Sequence, residues 1–149
     1  MSVLLDVAVE AGKKAGSILL DYTKSGFHIE HKNPINLVTD ADHAAERCVI
    51  DYIHTRFPTH GFLAEEQGRI EQSPSPYLWI IDPLDGTTNF AHGFPTYCVS
   101  IGLEYRGRCV RGVVFDPSRD DLFTAIEGCG AQLNGHPIHV SNANTLDNS

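Results

Sequence analysis

The chain has 149 residues, 42% hydrophobic and 20% charged, which suits one domain with a packed core, is short for two, and excludes a disordered polypeptide. Its formal charge of −8 excludes a general attraction for nucleic acid or an anionic membrane surface and makes cations the natural partners. Four widely separated cysteines form no CxxC pair, which argues against zinc and for buried, reduced thiols in a cytoplasmic protein.

Leu4, Leu5, Ala8, Ala11, Ala15, Ile18, Leu19 and Tyr22 recur at helical spacing, with Asp6, Glu10, Lys13 and Lys14 on other faces. The pattern predicts an amphipathic helix stopped near Ser25-Gly26. Asp6 and Glu10 also break what would have to be the apolar core of a signal peptide, and no apolar run approaches the ~18 residues of a membrane span. "HIEHKNPINLV" is expected to be extended around Pro34. "TDADHAAERCVIDYIHTRFP" predicts a second helix: Thr39 or Asp40 can cap it, Ala45, Cys48, Val49, Tyr52 and Ile53 form its apolar stripe, and Pro58 closes it.

The period then changes. "GFLAEE" reads as a short strand ending in two glutamates, and "YLWII" as a buried strand ending in Asp82. From Tyr97 to Val140 the pattern is a β meander, with turns at Arg106-Gly107, around Pro117 to Asp120, and at Asn134-Gly135, where Asn-Gly signals a type I′ hairpin. Two helices followed by a mainly antiparallel sheet make a single α+β domain.

Carboxylates follow two of these strands: Glu65 and Glu66 one, Asp82 and Asp85 the other. Hard divalent cations want several oxygen ligands, and clustered carboxylates repel one another unless a cation sits among them. In Asp82-Pro83-Leu84-Asp85 the proline fixes φ and removes an amide donor, so the turn can aim Asp82, the Leu84 carbonyl and Asp85 at one point. Gly86-Thr87-Thr88 would then open a helix whose free N–H groups suit an anion beside the cations. Metals next to a helix N-terminus suit a phosphate. Taken singly, each feature has a plainer reading: a loop turn, a solvated glutamate pair, and Asp40 and Asp42 as cap and dipole partners.

"WIIDPLDGTTNFAHGFP" resembles the first signature of the inositol monophosphatase family, in its bacterial inositol-1-monophosphatase type. "NLVTDADHAAE" is similar to the segment that family carries before its second helix, "LAEEQ" to its Gly-Glu-Glu element, and "VVFDPSRDDLFTAIEGCGAQLNGHPIHVS" to its meander. The resemblance implies the first half of a layered αβαβα fold and hydrolysis of inositol 1-phosphate that depends on Mg²⁺ and is inhibited by Li⁺. By the same resemblance, Glu65, Asp82 and the Leu84 carbonyl would hold one Mg²⁺, and Asp82 and Asp85 would share a second; two or three ions are implied, with Mn²⁺ as a substitute. Asp85, Gly86 and Thr87 would bind the substrate phosphate, the last two through backbone amides. The Thr87 hydroxyl and Asp42 would orient a water, Glu65 would share in catalysis, Glu66 would support the ligands from behind, and Asp40 would keep its capping role.

The family's second half supplies a further sheet and helices, an aspartate in a Trp-Asp-x-Ala-Ala motif, and most contacts to the inositol ring. The single tryptophan here, Trp79, belongs to the first signature, so the chain is expected to be the N-terminal half of such an enzyme. The family also implies a homodimer acting on a small phosphate monoester, in the cytoplasmic location that the cysteines already suggest. Alternatives are a related sugar-phosphate or 3′(2′),5′-bisphosphate nucleotide phosphatase, or a metal-binding interaction fragment without turnover. A dehalogenase-type phosphatase fits less well: it needs aspartates two apart and an alternating β/α order.

Overall fold

The computed structural model describes residues 3–25, 29–31, 37–70 and 74–142. Helix α1 spans Val3–Ser25 and turns Leu5, Ala8, Ala11, Ala15 and Leu19 inward. Its small residues let it lie close on the sheet: a Cβ added at Gly16 would stand 2.6 Å from the Phe115 ring. Strands β1 (Ile29–His31) and β2 (Leu37–Thr39) pair antiparallel, and Pro34 between them falls outside the described residues.

Helix α2 (Asp40–His54) starts from Thr39, whose side chain accepts from the Asp42 amide while the Asp42 carboxylate accepts from the Thr39 amide at 2.8 Å. Of the two capping candidates Thr39 is therefore the cap. Asp40 is the first helical residue, which corrects the capping role expected for it: the cap position belongs to Thr39, whose side chain accepts from the Asp42 amide while the Asp42 carboxylate accepts from the Thr39 amide. The buried face carries Ala41, Ala45, Val49 and Ile53, with two acids among them, Asp42 and Glu46.

The main sheet has eight strands in the order β10-β9-β8-β7-β6-β5-β3-β4. Its members are β3 (Gly61–Ala64), β4 (Gly68–Ile70), β5 (Tyr77–Asp85), β6 (Cys98–Tyr105), β7 (Arg108–Asp116), β8 (Asp121–Ile126), β9 (Gly130–Leu133) and β10 (His136–Ile138). Every neighbouring pair is antiparallel except β3 with β5, which run parallel. Asn134 and Gly135 both have positive φ, 50° and 81°, as a type I′ turn between β9 and β10 requires. β5 does not end at Asp82 as expected. It continues to Asp85, with its register against β6 shifted between Asp82 and Asp85, because Pro83 has no N–H to give to the ladder.

Both helices pack on one face of the sheet, over Phe62, Trp79, Ile81, Val99, Ile101, Leu103 and Val113. The alternate residues Leu63, Ile80, Val114 and Phe123 point from the other face and are exposed. The cysteines depart from the expectation of buried thiols: all four are free, Cys48 and Cys98 half-buried, Cys109 and Cys129 exposed. No helix among the described residues is long and apolar enough to cross a membrane.

Candidate active site at the ends of two parallel strands

Parallel pairing puts the carboxyl ends of β3 and β5 at one edge, and both ends carry acids. Ala64 lies opposite Ile81, so the next residues, Glu65 and Asp82, emerge side by side; the Glu65 amide donates to the Ile81 carbonyl at 3.2 Å. Their side chains are within hydrogen-bonding reach of each other, which for two carboxyl groups requires a proton or a cation between them. Asp82 Oδ1 also accepts the Leu84 amide at 3.2 Å, closing the Asp-Pro-Leu turn.

After the turn, Gly86 takes φ +96° and precedes a five-residue helix, α3 (Thr87–Ala91). The Thr87 hydroxyl lies 3.0 Å from the Leu84 carbonyl and 3.2 Å from Asp42 Oδ1, so its single proton is shared between two acceptors. That contact brings Asp42 from α2 to the strand ends. Asp42, Glu65, Asp82, the Leu84 carbonyl, Asp85, Gly86 and Thr87 are thus gathered from three parts of the chain. Glu66 stands beside them, its charge felt at Asp42, while Asp40 is exposed at the helix start and takes no part.

Burial pushes the Asp82 carboxyl above the usual carboxylate range, opposed by its contact with Glu65 and reinforced by the charge of Asp85. Asp42 is also raised, chiefly by burial, with the Thr39 and Thr87 hydrogen bonds acting the other way. Cys98 lies opposite Asp85, its thiol 3.8 Å from Asp85 Oδ2, and burial followed by the Asp85 charge pushes it up to about 11. Negative charge is in excess here.

Such a donor set is all hard oxygen and fits Mg²⁺, Mn²⁺ or Ca²⁺ rather than a softer metal. Among the described residues no three Asp, Glu, His or Cys side chains close on one point. Mg²⁺ does not need that, since it keeps several waters and takes one or two carboxylates plus phosphate oxygens. The Asp82–Leu84 turn with Glu65 offers this sparser arrangement.

Three supporting residues escaped the sequence reading. Asn89 Nδ2 donates to the Thr96 carbonyl at 2.8 Å, tying α3 to the loop before β6. Ser118, bonded to Asp116, reaches the Pro95 carbonyl at 3.1 Å and holds that loop from the β7–β8 turn. Glu46, fully buried, accepts the Glu66 and Gln67 amides. For Glu46 alone a signal existed: it sits four residues after Asp42, on the same helix face.

Residues 1–149 match the family described as "Inositol monophosphatase family". The chain belongs to the inositol monophosphatase family. It is 50% identical over 146 residues to inositol monophosphatase 3 of Solanum lycopersicum, covering 95% of this chain and 54% of that protein. The crystal structure of the extragenic suppressor protein suhB from Bartonella henselae superposes with TM-score 0.92 at 40% identity, over 95% of this chain and 56% of that one. An IMPase/NADP phosphatase complexed with NADP and Ca²⁺ matches with TM-score 0.79 at 27% identity, over 91% and 52%. The chain therefore spans about half the length of the relatives it matches. The α+β architecture expected from the sequence is the fold of these inositol monophosphatase relatives, a metal-dependent family.

Proposed function

We propose that this chain carries the metal and phosphate end of a phosphomonoesterase that hydrolyses inositol 1-phosphate to inositol and phosphate, with Mg²⁺ as cofactor and sensitivity to Li⁺. The observation that supports this most is the meeting of Glu65 and Asp82 at the ends of parallel strands, one turn from the Asp42–Thr87 contact. Glu65, Asp82, Asp85 and the Leu84 carbonyl would hold the ions, which when bound supply positive charge to the phosphate and activate the attacking water. In this reading Asp42 and the Thr87 hydroxyl would orient and polarise that water, the hydroxyl passing its own proton to the Asp42 carboxylate as it takes one from the water. The backbone amides of Gly86 and Thr87 receive phosphate oxygens, with Asp85 beside them. Glu66 adds negative charge behind the ligands. Homodimerisation and a cytoplasmic location belong to the same proposal.

The test is phosphate release from inositol 1-phosphate, with Mg²⁺ titrated and Li⁺ added, beside Asp82→Asn. The expected result is Mg²⁺-dependent, Li⁺-sensitive release reduced at least about 100-fold in the variant, since both ions lose a ligand. Near-normal turnover in Asp82→Asn would sink the two-ion assignment, and preference for a 3′(2′),5′-bisphosphate nucleotide would move the substrate. A second reading is a metal-binding piece without turnover. Mg²⁺ binding without phosphate release from a folded chain would favour it.

A further inference from the structure

We propose that Glu46 is a positioning residue that fixes Glu65 for cation binding; this rests on reading Glu65 as a cation ligand. Glu46 is completely buried on α2. No Lys or Arg among the described residues forms an ion pair with it. A buried carboxyl group is costly unless its oxygens are satisfied. Here each oxygen takes one backbone amide: Oε2 that of Glu66 at 2.8 Å, Oε1 that of Gln67 at 3.1 Å. These are the amides of the turn joining β3 to β4.

The consequence falls on Glu65. Its own amide donates to the Ile81 carbonyl on β5, and the next amide donates to Glu46. The peptide planes on both sides of Glu65 are therefore held, one by the sheet and one by α2, which leaves its φ and ψ little freedom. Glu46 lies one turn beyond Asp42 on the same face of α2, so a single rigid helix sets the places of both Asp42 and the Glu65 backbone. Glu46 itself hydrogen-bonds the turn rather than the Glu65 or Asp82 side chains, so it acts through Glu65.

Two variants separate placement from charge. Glu46→Gln keeps the shape but turns one acceptor into a donor facing an amide; Glu46→Asp keeps the charge and withdraws both oxygens by one methylene. In the full chain, with folding checked by circular dichroism, the measurements are Mg²⁺ affinity by calorimetry, amide hydrogen exchange at Glu66 and Gln67, and side-chain order at Glu65. Both variants should weaken Mg²⁺ binding about 10- to 100-fold, as supports behind a metal ligand do, speed exchange at the two amides and loosen Glu65. Unchanged Mg²⁺ affinity with fast exchange would overturn the proposal, leaving Glu46 a structural clamp only. Wild-type behaviour in Glu46→Asp against weak binding in Glu46→Gln would also overturn it, since charge and not placement would matter. If the unaltered chain binds no Mg²⁺, the cation reading of the site fails by itself. The order of Glu65 then decides: loosened in the variants, the positioning role stands; unchanged, it falls. Glu46→Asp, which keeps the charge, decides by itself if Glu46→Gln does not fold: weakened Mg²⁺ binding with a loosened Glu65 supports the proposal, and wild-type behaviour overturns it.

Discussion

Gly86 holds the transition from the Asp-Pro-Leu-Asp turn into α3 at φ +96°, and a Cβ there would stand 2.9 Å from the Thr96 carbonyl oxygen and 3.2 Å from Tyr97 Cα. Both obstacles are backbone and cannot swing aside. Gly86→Ala should therefore destabilise the fold by about 1–3 kcal/mol, read as a lower urea midpoint, whereas a site loop free to relax would leave the midpoint in place. This glycine, like Asp82, Asp85 and Thr87, was legible because its chemistry is local: a proline, two acids and a glycine within five positions allow few other turns. Glu46 was legible only as far as its place on the helix face of Asp42; its partners are amides 20 and 21 residues away, and no spacing rule names them. Cys98 looked like a packing residue because a thiol in a strand normally is one; only the register opposite Asp85 reveals its acidic neighbour.

At the level of elements, α1 shows how closely helix and sheet fit. A methyl added at Gly12 would meet Val113 at an ordinary 3.7 Å, whereas one at Gly16 would meet the Phe115 ring at 2.6 and 2.8 Å. Replacing a mid-helix glycine by alanine normally stabilises by about 0.5–1 kcal/mol, so Gly12→Ala should raise the melting temperature. Gly16→Ala should lower it, because overpacking a dense core costs about 1–3 kcal/mol. A rise in both would mean that α1 can shift away from β7. The two long helices and the meander were readable from their periodicities, which run over many residues. β4 was missed because three residues carry no alternation, and the length of β5 was misjudged because Pro83 signals a break where the strand in fact passes through an irregular register. The parallel pairing of β3 with β5 could not be read at all: pairing partners are set by the packed whole, not by either strand's pattern.

At the end of the sheet away from the acids, His60 is stacked on Phe57 and Tyr77 at centroid distances of 4.7 and 4.5 Å, and its Nδ1 accepts the Trp79 indole N–H at 3.0 Å. That bond needs an unprotonated Nδ1, and burial lowers the His60 pKa from 6.5. Between the lowered folded value and 6.5 the unfolded chain binds more protons, so the contribution to stability is complete above 6.5 and is lost as pH falls through that window. Urea midpoints should drop from pH 7.5 to 5.5, and drop less in His60→Phe; equal slopes would show that His60 does not govern the pH response of the whole molecule.

The geometry that gathers the acids also has a consequence for the order of events during folding. The meander is stitched by tight hairpins, whereas the Asp42–Thr87 contact spans 45 residues and awaits the docking of α2 on the strands. Contacts between distant parts of a chain are slow to close and tend to be absent at the folding barrier. A cation held at the strand ends should then act on the return journey alone: in urea-jump kinetics Mg²⁺ should slow unfolding and leave the refolding rate untouched. Faster refolding in Mg²⁺ would instead mean that the carboxylates meet before the barrier is crossed, with the ion serving as a template for the fold.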